Sequence, residues 1–273
     1  MAGIVFDGHY IIFVRYRMGD FAVERLVPVR RESLERFLWW LANTASEIAL
    51  TAENLERDFS IEQLRTQKIL RDLVKGLDNA LVKSPHQMVK NLFEQWRLFF
   101  SQSIDYSEAF GGQKLEPLKE WVGKAGLEIN TPEEAERFFF ALHTYFALLV
   151  KLLAWLALSK HMAVKLGAPS FSKLISADSE TLRQRLRELE EGSIFRHYKL
   201  TNLLEGDFFA WYLFPRDKHI EDAVRELLKR LAEYDQATLS IHPEESRDLF
   251  KKLYHYLLPS EIRHNLGEYY TPD

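Results

Sequence analysis

Hydrophobic residues along this chain follow two spacings, and the change between them falls near residue 30. In the first part, short apolar runs contain many β-branched and aromatic residues, and turn signals stand between the runs at Asp7-Gly8 and Gly19-Asp20. This pattern predicts a short antiparallel meander with strands over 3–6, 10–17 and 21–27. So small a sheet cannot bury both of its faces, so it must lie on a larger sheet or against the helices that follow.

From Arg31 onward the apolar positions recur with the period of a helix, as Leu34, Phe37, Leu38 and Leu41 show for the first one. The pattern continues almost to the end of the chain, and no fixed-period repeat indicates a solenoid. It predicts helices near 32–50, 61–83, 86–103, 114–124, 132–166, 179–190, 218–234 and 244–257. The predicted fold class is therefore mainly α, a multi-helix array with a small N-terminal antiparallel β meander.

The segment Thr131-Pro132-Glu133-Glu134 predicts where the longest helix begins. A Thr hydroxyl accepts from the amide three residues on, Pro fits the first helical position, and the acidic pair favours the positive helix end. The segment His242-Pro243-Glu244-Glu245 imitates this start signal.

The apolar stretch 138–158 within that helix is long enough to cross a membrane. Lys151 would then lie near the bilayer centre at a cost of roughly 2.5 to 3.5 kcal/mol, and His143 would lie inside as well. These two residues favour a buried core helix over a membrane span.

Composition narrows the functional classes. The chain has 273 residues, of which 47% are hydrophobic, and it has no Cys, so disulfides, thiolate zinc sites and a cysteine nucleophile are excluded. This usage fits an intracellular protein, and we expect a cytoplasmic location. The formal net charge of -4 offers no general basic field, so any contact with nucleic acid needs a local patch.

Both ends of the chain suggest a segment of a longer protein. Thr271-Pro272-Asp273 has the residue order that opens a helix, and at the other end the first strand follows directly after Met1-Ala2. The alternative is a natural terminus with an uncapped stub.

The last 17 residues, Leu257-Leu-Pro-Ser-Glu-Ile-Arg-His-Asn-Leu-Gly-Glu-Tyr-Tyr-Thr-Pro-Asp273, resemble the segment that introduces the catalytic domain of adenine-N6 DNA methyltransferases. The resemblance is strongest to the fused restriction-modification polypeptides of type IIG. It implies that the Gly-x-Tyr-Tyr-Thr-Pro element lies against the methionine part of S-adenosylmethionine. The implied cofactor-side residues are Tyr269, Tyr270, Thr271 and Pro272. A helix N-terminus suits a carboxylate, and tyrosine rings suit a sulfonium.

Three upstream segments extend the resemblance to the helical region that precedes the methylase domain in those proteins: 109–112, 204–214 and 243–254. The opening residues 3–15 are similar to the closing strands of a nuclease-like domain. The implied organisation is a β meander over 1–30 as the tail of that domain, an α-helical connector over 31–258, and the start of the methyltransferase domain over 259–273.

The chain also departs from the family. It has neither the Gly-rich cofactor loop nor the Asn-Pro-Pro-Tyr element that holds a flipped adenine, and it lacks the Glu-x-Lys pair of a metal-dependent nuclease. We therefore expect no catalytic residues here, and S-adenosylmethionine as a cofactor of the parent protein that this chain does not bind alone. The implied partners are double-stranded DNA and the missing nuclease-like and methylase domains. The alternative is a stand-alone helical scaffold or protein-interaction module.

Arginines cluster around the strands, and Arg15, Arg17, Arg30 and Arg31 are candidate DNA contacts, with Arg25 between them. Two further basic sets are interleaved or followed by acidic residues, which favours solvated helix faces over phosphate-contact surfaces. These sets are Arg57, Arg65, Lys68, Arg71 and Lys75, and Arg183, Arg185 and Arg187.

A metal site on the longest helix is the last alternative. Glu133, Glu134, Glu136 and His143 lie on it, but their spacing lacks Glu-x-x-His and no second such helix pairs with it, so no metal is expected. The aromatic stripe of the same helix favours core packing over base stacking. Its members are Phe138, Phe139, Phe140, Tyr145, Phe146 and Trp155.

Overall fold

A computed structural model of the chain describes residues 2–17, 20–44, 48–50, 52–101, 115–166, 171–197 and 208–235. In these residues the protein is mainly helical with a small antiparallel sheet at its front, as the sequence predicts. The strands are β1 (Ala2–Phe6), β2 (Tyr10–Arg17), β3 (Asp20–Val23), β4 (Val27–Pro28), β5 (Ile48–Ala49) and β6 (Tyr234–Asp235). The helices are α1 (Arg31–Thr44), α2 (Ala52–Phe59), α3 (Leu64–Asp78), α4 (Gln87–Ser101), α5 (Leu115–Lys124), α6 (Pro132–Leu166), α7 (Phe171–Ser176), α8 (Ser179–Glu190), α9 (Ser193–His197) and α10 (Lys218–Leu231). A π-helical turn (Asn79–Lys83) extends α3, and a 3-10 helix (Phe208–Leu213) precedes α10.

The sheet is built around β2. On one side β1 pairs antiparallel with it, placing Ile4 opposite Phe13, and on the other side both β3 and β4 pair antiparallel with it. Between β3 and β4, residues 25–26 face the single residue Ile12, so the predicted third strand is interrupted by a β-bulge. The meander is confirmed, and the bulge is the feature that the apolar runs and turn residues did not predict.

The sheet has a small core of its own. Ile11 and Phe13 are buried, and Ile4, Val29 and Phe37 pack against them. Phe37 belongs to α1, so the strands lie against the helix that follows them, as predicted for one of the two possibilities.

A second, much larger core fills the helical part of the molecule. It is one continuous cluster that extends from Leu50 to Tyr234 and includes the buried Trp96, Trp155 and Trp211. Among the helices of this part, α3 and α10 pack closely. A Cβ on Gly76 of α3 would overlap Ile220 of α10, so the glycine is what allows the close approach.

Helix α6 passes through the middle of this core. Its stretch 132–156 is long and apolar enough to cross a membrane, but 78% of the apolar 18-residue window within that stretch is buried inside the protein. The core-helix interpretation is therefore confirmed for the described residues. The aromatic stripe is confirmed as core as well, since all of its members are buried except Phe146, which is half-buried.

Some predicted boundaries are wrong. The helix predicted over 32–50 ends at Thr44, and Ile48–Ala49 forms a strand instead. This strand pairs in parallel with Tyr234–Asp235, so the helix predicted over 218–234 ends earlier, at Leu231. A contact between distant parts of the chain overrides the local helical period at both places. The short helices α2, α7 and α9 and the 3-10 helix were not predicted individually, because a few residues give too little periodicity. The predicted helix 244–257 lies outside the described residues.

The start of α6 follows the predicted capping box. The Glu134 amide donates to Thr131 Oγ1 at 3.2 Å, and the Glu134 carboxylate accepts from the Thr131 and Asn130 amides. Both exchanges satisfy amides that would otherwise lack a helical partner.

We expect Thr131→Ala to lower the free energy of unfolding by about 1 kcal/mol, because the first turn of α6 loses one acceptor. Chemical denaturation with circular dichroism measures this. Thr131→Ser keeps the hydroxyl and serves as the control, with a smaller loss. Equal stability of the Ala variant and the wild type would contradict the role of the cap.

Candidate functional site

The candidate DNA-contact arginines are divided between two ends of β2. Arg15 and Arg17 lie opposite Ala22 and Asp20 in the β2–β3 ladder. The amide of Val29 donates to the His9 carbonyl at the other end of β2, which brings the start of α1 there. Arg15 stands six positions after His9 in the chain, which is roughly 20 Å of extended backbone. The backbone positions of the four arginines therefore do not form one cluster. The structure describes the backbone of Arg15 and Arg17 but not their side chains.

Arg30 and Arg31 are exposed at the start of α1. The Arg31 guanidinium forms an ion pair with Glu35 at 2.9 Å, in which both side chains are more than half exposed. Ser33 fixes the entry to the helix, since its hydroxyl accepts from the Arg30 amide. A solvent-exposed pair of this kind is weak, so Arg31 can exchange Glu35 for another anion at little cost.

Arg36 has a different place, which sequence reasoning missed. Its guanidinium lies over the Phe13 ring, 4.2 Å from the centroid, and donates to both carboxylate oxygens of Glu24. It thereby joins α1 to the bulged strand and covers the core of the sheet. From the sequence, Arg36 is a polar residue in the second turn of an amphipathic helix. Its partners could not be predicted, because the tertiary packing sets them.

The basic helix faces carry acidic partners. Arg57 pairs with Asp58, Arg65 with Glu233, and Arg185 with Glu188. Arg183 donates to the carbonyls of Leu213 and Pro215, where it ties α8 to the end of the 3-10 helix. These contacts agree with the interpretation of those faces as solvated and structural.

The implied cofactor residues Tyr269, Tyr270, Thr271 and Pro272 lie outside the described residues. Their placement therefore stays a prediction.

One buried polar cluster joins α2 to the end of α10. The Tyr234 hydroxyl donates to Asp58 Oδ2 at 2.6 Å, and Arg57 and Arg230 pair with the same carboxylate. Burial alone would raise the pKa of Asp58, but the hydrogen bonds from Arg57 and Tyr234 and the charge of Arg230 outweigh it and lower that pKa. Burial beside Asp58 raises the pKa of Tyr234, so the phenol stays protonated and acts as a donor.

A second buried cluster joins α6, α8 and the 3-10 helix. Lys151 Nζ lies 2.6 Å from Glu190 Oε2, and both side chains are almost fully buried. The Tyr212 hydroxyl donates to the other oxygen of Glu190 at 2.7 Å. About two turns of α6 before Lys151, the Thr144 hydroxyl accepts a hydrogen bond from Trp211 Nε1. The charge of Lys151, which disfavours a membrane span, is thus paired with a carboxylate inside the protein.

His143 has no such partner among the described residues. Both of its ring nitrogens are buried without a hydrogen bond. The ring is surrounded by the aromatic rings of Trp96, Phe100, Phe139 and Phe209, with centroids 5.2 to 6.3 Å away. Burial lowers the pKa of His143 to about 4, so the imidazole is neutral at physiological pH.

The metal alternative finds no support in the described part of the chain, where no three His, Asp or Glu side chains come together. Glu134 caps α6, Glu136 faces Arg97 at 3.9 Å, and His143 lies in the aromatic cluster. The buried polar groups instead hold helices in fixed relative positions.

Comparison with known proteins adds no identity: no family model, no curated protein and no solved structure matches this chain.

We expect Lys151→Met to lower the free energy of unfolding by about 3 kcal/mol, because the Glu190 carboxylate would stay buried without its cation. The double variant Lys151→Met/Glu190→Gln removes both charges and should recover most of that loss. Urea denaturation of the variants measures the difference. Arg185→Met breaks an exposed pair as the control and should cost less than about 1 kcal/mol. A Lys151→Met variant as stable as this control would contradict the proposed contribution of the buried pair to the free energy of unfolding.

The stability of the protein should depend on pH through His143. Its pKa is about 4 in the folded protein and ordinarily 6.5, so between these values only the unfolded chain binds the proton. The free energy of unfolding therefore falls as the pH decreases from 6.5 to 4, by roughly 3 kcal/mol in total.

We expect His143→Phe to remove this part of the pH dependence, since a phenyl ring fits the aromatic surroundings and does not titrate. Denaturation at pH 7 and pH 5 compares the two proteins. Burial raises the pKa of Glu136, which has the opposite effect on the slope, but that contribution is common to both and cancels. His9→Gln, at an exposed turn, is the control, and a slope unchanged by His143→Phe would refute the assignment.

Proposed function

We propose that this chain is the helical connector of a fused restriction-modification enzyme of type IIG that methylates adenine N6 in double-stranded DNA with S-adenosylmethionine. In this proposal it is a cytoplasmic segment that stands between a nuclease-like and a methylase domain. It has no catalytic activity by itself, and the reacting groups come from the remainder of the parent polypeptide.

The observation that carries the proposal is the element Gly267-Glu-Tyr-Tyr-Thr-Pro272. It combines a glycine, two aromatic rings, a hydroxyl and the start signal of a helix. Amides and a hydroxyl at a helix N-terminus bind a carboxylate, and aromatic faces attract a sulfonium, so one short segment addresses both ends of the methionine moiety. Tyr269, Tyr270, Thr271 and Pro272 are the residues with that role.

The described helical part suits a connector. A connector has to keep two active domains in fixed relative positions, which requires a well-packed interior and ties between elements that are far apart in sequence. The single large core supplies the interior. The Asp58–Tyr234 and Lys151–Glu190 contacts supply such ties, across 176 and 39 residues.

The exposed arginines at the front support a role near DNA. Arg31 forms an exposed ion pair with Glu35, so release of Glu35 for a phosphate costs little. In the proposal, Arg15, Arg17, Arg30 and Arg31 contact the backbone of the duplex without reading its sequence.

The test begins with the gene. The codons that follow Asp273 should encode a Gly-rich loop after a strand and an Asn-Pro-Pro-Tyr element. In the full polypeptide, we expect Tyr270→Ala to weaken S-adenosylmethionine binding about tenfold through loss of the ring beside the sulfonium. Equilibrium dialysis with labelled cofactor measures binding, and formation of N6-methyladenine in duplex DNA should fall in parallel.

Tyr10→Ala is the matched control for that experiment, since Tyr10 is exposed on the N-terminal sheet far along the chain from the motif. It should leave cofactor binding unchanged. A following gene sequence without both elements, or a Tyr270→Ala variant that binds the cofactor as the wild type does, would refute the proposal.

The second candidate is a stand-alone helical scaffold that binds another protein. Large apolar side chains are exposed on α4, with Leu98 at 66% and Phe99 at 61% exposure. Contiguous exposed apolar residues mark surfaces that bind other proteins. The two candidates differ in the gene experiment above, because a scaffold needs no methylase elements after Asp273.

A further inference from the structure

The outer edge of β1 is open. Among the described residues β1 pairs only with β2, placing Val5 opposite Ile12, and the Asp7 amide donates to the Tyr10 carbonyl beyond the end of the strand. Bonded and non-bonded pairs alternate along an antiparallel ladder, so Gly3 and Val5 bond to β2. The backbone N–H and C=O groups of Ala2, Ile4 and Phe6 therefore point away from the sheet.

The other side of β2 confirms this alternation. There the Glu24 amide donates to the Phe13 carbonyl at 2.9 Å, and the Val29 amide donates to the His9 carbonyl at 2.8 Å. Odd-numbered residues of β2 thus bond toward β3 and β4, and even-numbered residues bond toward β1.

This edge lacks the features that prevent strand pairing in soluble proteins. Ala2-Gly-Ile-Val-Phe6 contains no proline and no charged residue. The bulge of the sheet lies on the opposite side of β2 and does not protect this edge. Val5 and Phe6 at the end of the strand are 56% and 61% exposed. In the part of the chain that the structure describes, no strand would have to be displaced for an extended segment to bond here.

We propose that β1 pairs antiparallel with β1 of a second copy of this chain, around a two-fold axis at Ile4. The residue sizes select this occupant. With Ile4 opposite itself, Phe6 lies opposite Ala2 of the second copy and Val5 lies opposite Gly3, so each of the two exposed large residues meets a small one. The outward residues Ala2, Ile4 and Phe6 are symmetric around Ile4, so every outward backbone group finds a partner in the second copy.

The interface is small, so the dimer is reversible. A pair of strands this short buries less than about 1,200 Å², which is the range of weak, transient complexes. The dimer is argued from the backbone and side chains of β1, and none of the residues that carry the methyltransferase proposal enters this argument.

Sedimentation equilibrium of the chain over a concentration series up to about 100 µM tests the proposal. The average mass of the wild type should rise from 32.1 kDa toward twice that value. Phe6→Pro removes one outward amide and the exposed ring from each copy while the bonds from β1 to β2 are kept, so this variant should stay at 32.1 kDa.

Val23→Pro is the matched control. Val23 is 64% exposed, and by the same alternation its amide points to the outer edge of β3, on the far side of the sheet. The control should dimerise as the wild type does. Circular dichroism shows whether each variant keeps its fold.

Hydrogen exchange of the wild type gives a second measurement that needs no variant. The amides of Ile4 and Phe6 should exchange more slowly as the protein concentration rises. A wild type that stays at 32.1 kDa throughout, a Phe6→Pro variant that dimerises equally, or exchange at these amides that is independent of concentration would each overturn the proposal. If both proline variants are monomeric, the exchange of the wild type decides between the two outcomes.

Discussion

The helical part of this protein depends on one constraint, which is that α6 must be surrounded. A helix that is apolar on nearly every side has no face for solvent, so the other elements have to cover it. The polar groups that α6 carries inward then need partners in the covering elements. Lys151 finds Glu190, and Thr144 accepts from Trp211. These partners fix the covering elements in place because a buried polar group without one is costly.

Much of the fold could be predicted from the sequence where local physical chemistry decides. The bounds of α6 and α8 match the predictions 132–166 and 179–190, because capping residues and long amphipathic or apolar runs specify them. The meander likewise follows from short runs of β-branched and aromatic residues and from the turn residues between them. Where distant segments meet, the local signal fails. Nothing near Ile48 indicates a strand, because its only partner in the sheet is Tyr234, at the other end of the described chain.

The candidate site shows the same division. The candidate contact residues could be named from sequence, but the grouping of the arginines could not, because the strand register divides Arg15 and Arg17 from Arg30 and Arg31. Arg36 looked like any exposed helix residue, yet it bridges Glu24 and Phe13. The sequence offers His143 as a candidate metal ligand, whereas in the structure aromatic rings surround it.

The parallel pairing of Ile48–Ala49 with Tyr234–Asp235 determines how the molecule responds to mechanical load. Within the described residues, the first strand stands just before the segment that forms the large core, and the second strand stands at the end of that segment. A pull on the flanking segments draws the two strands along each other in opposite directions, so their hydrogen bonds bear the force together. Traction is therefore resisted at this junction before it reaches the helices, and the tether length between the flanking segments stays short while the junction holds.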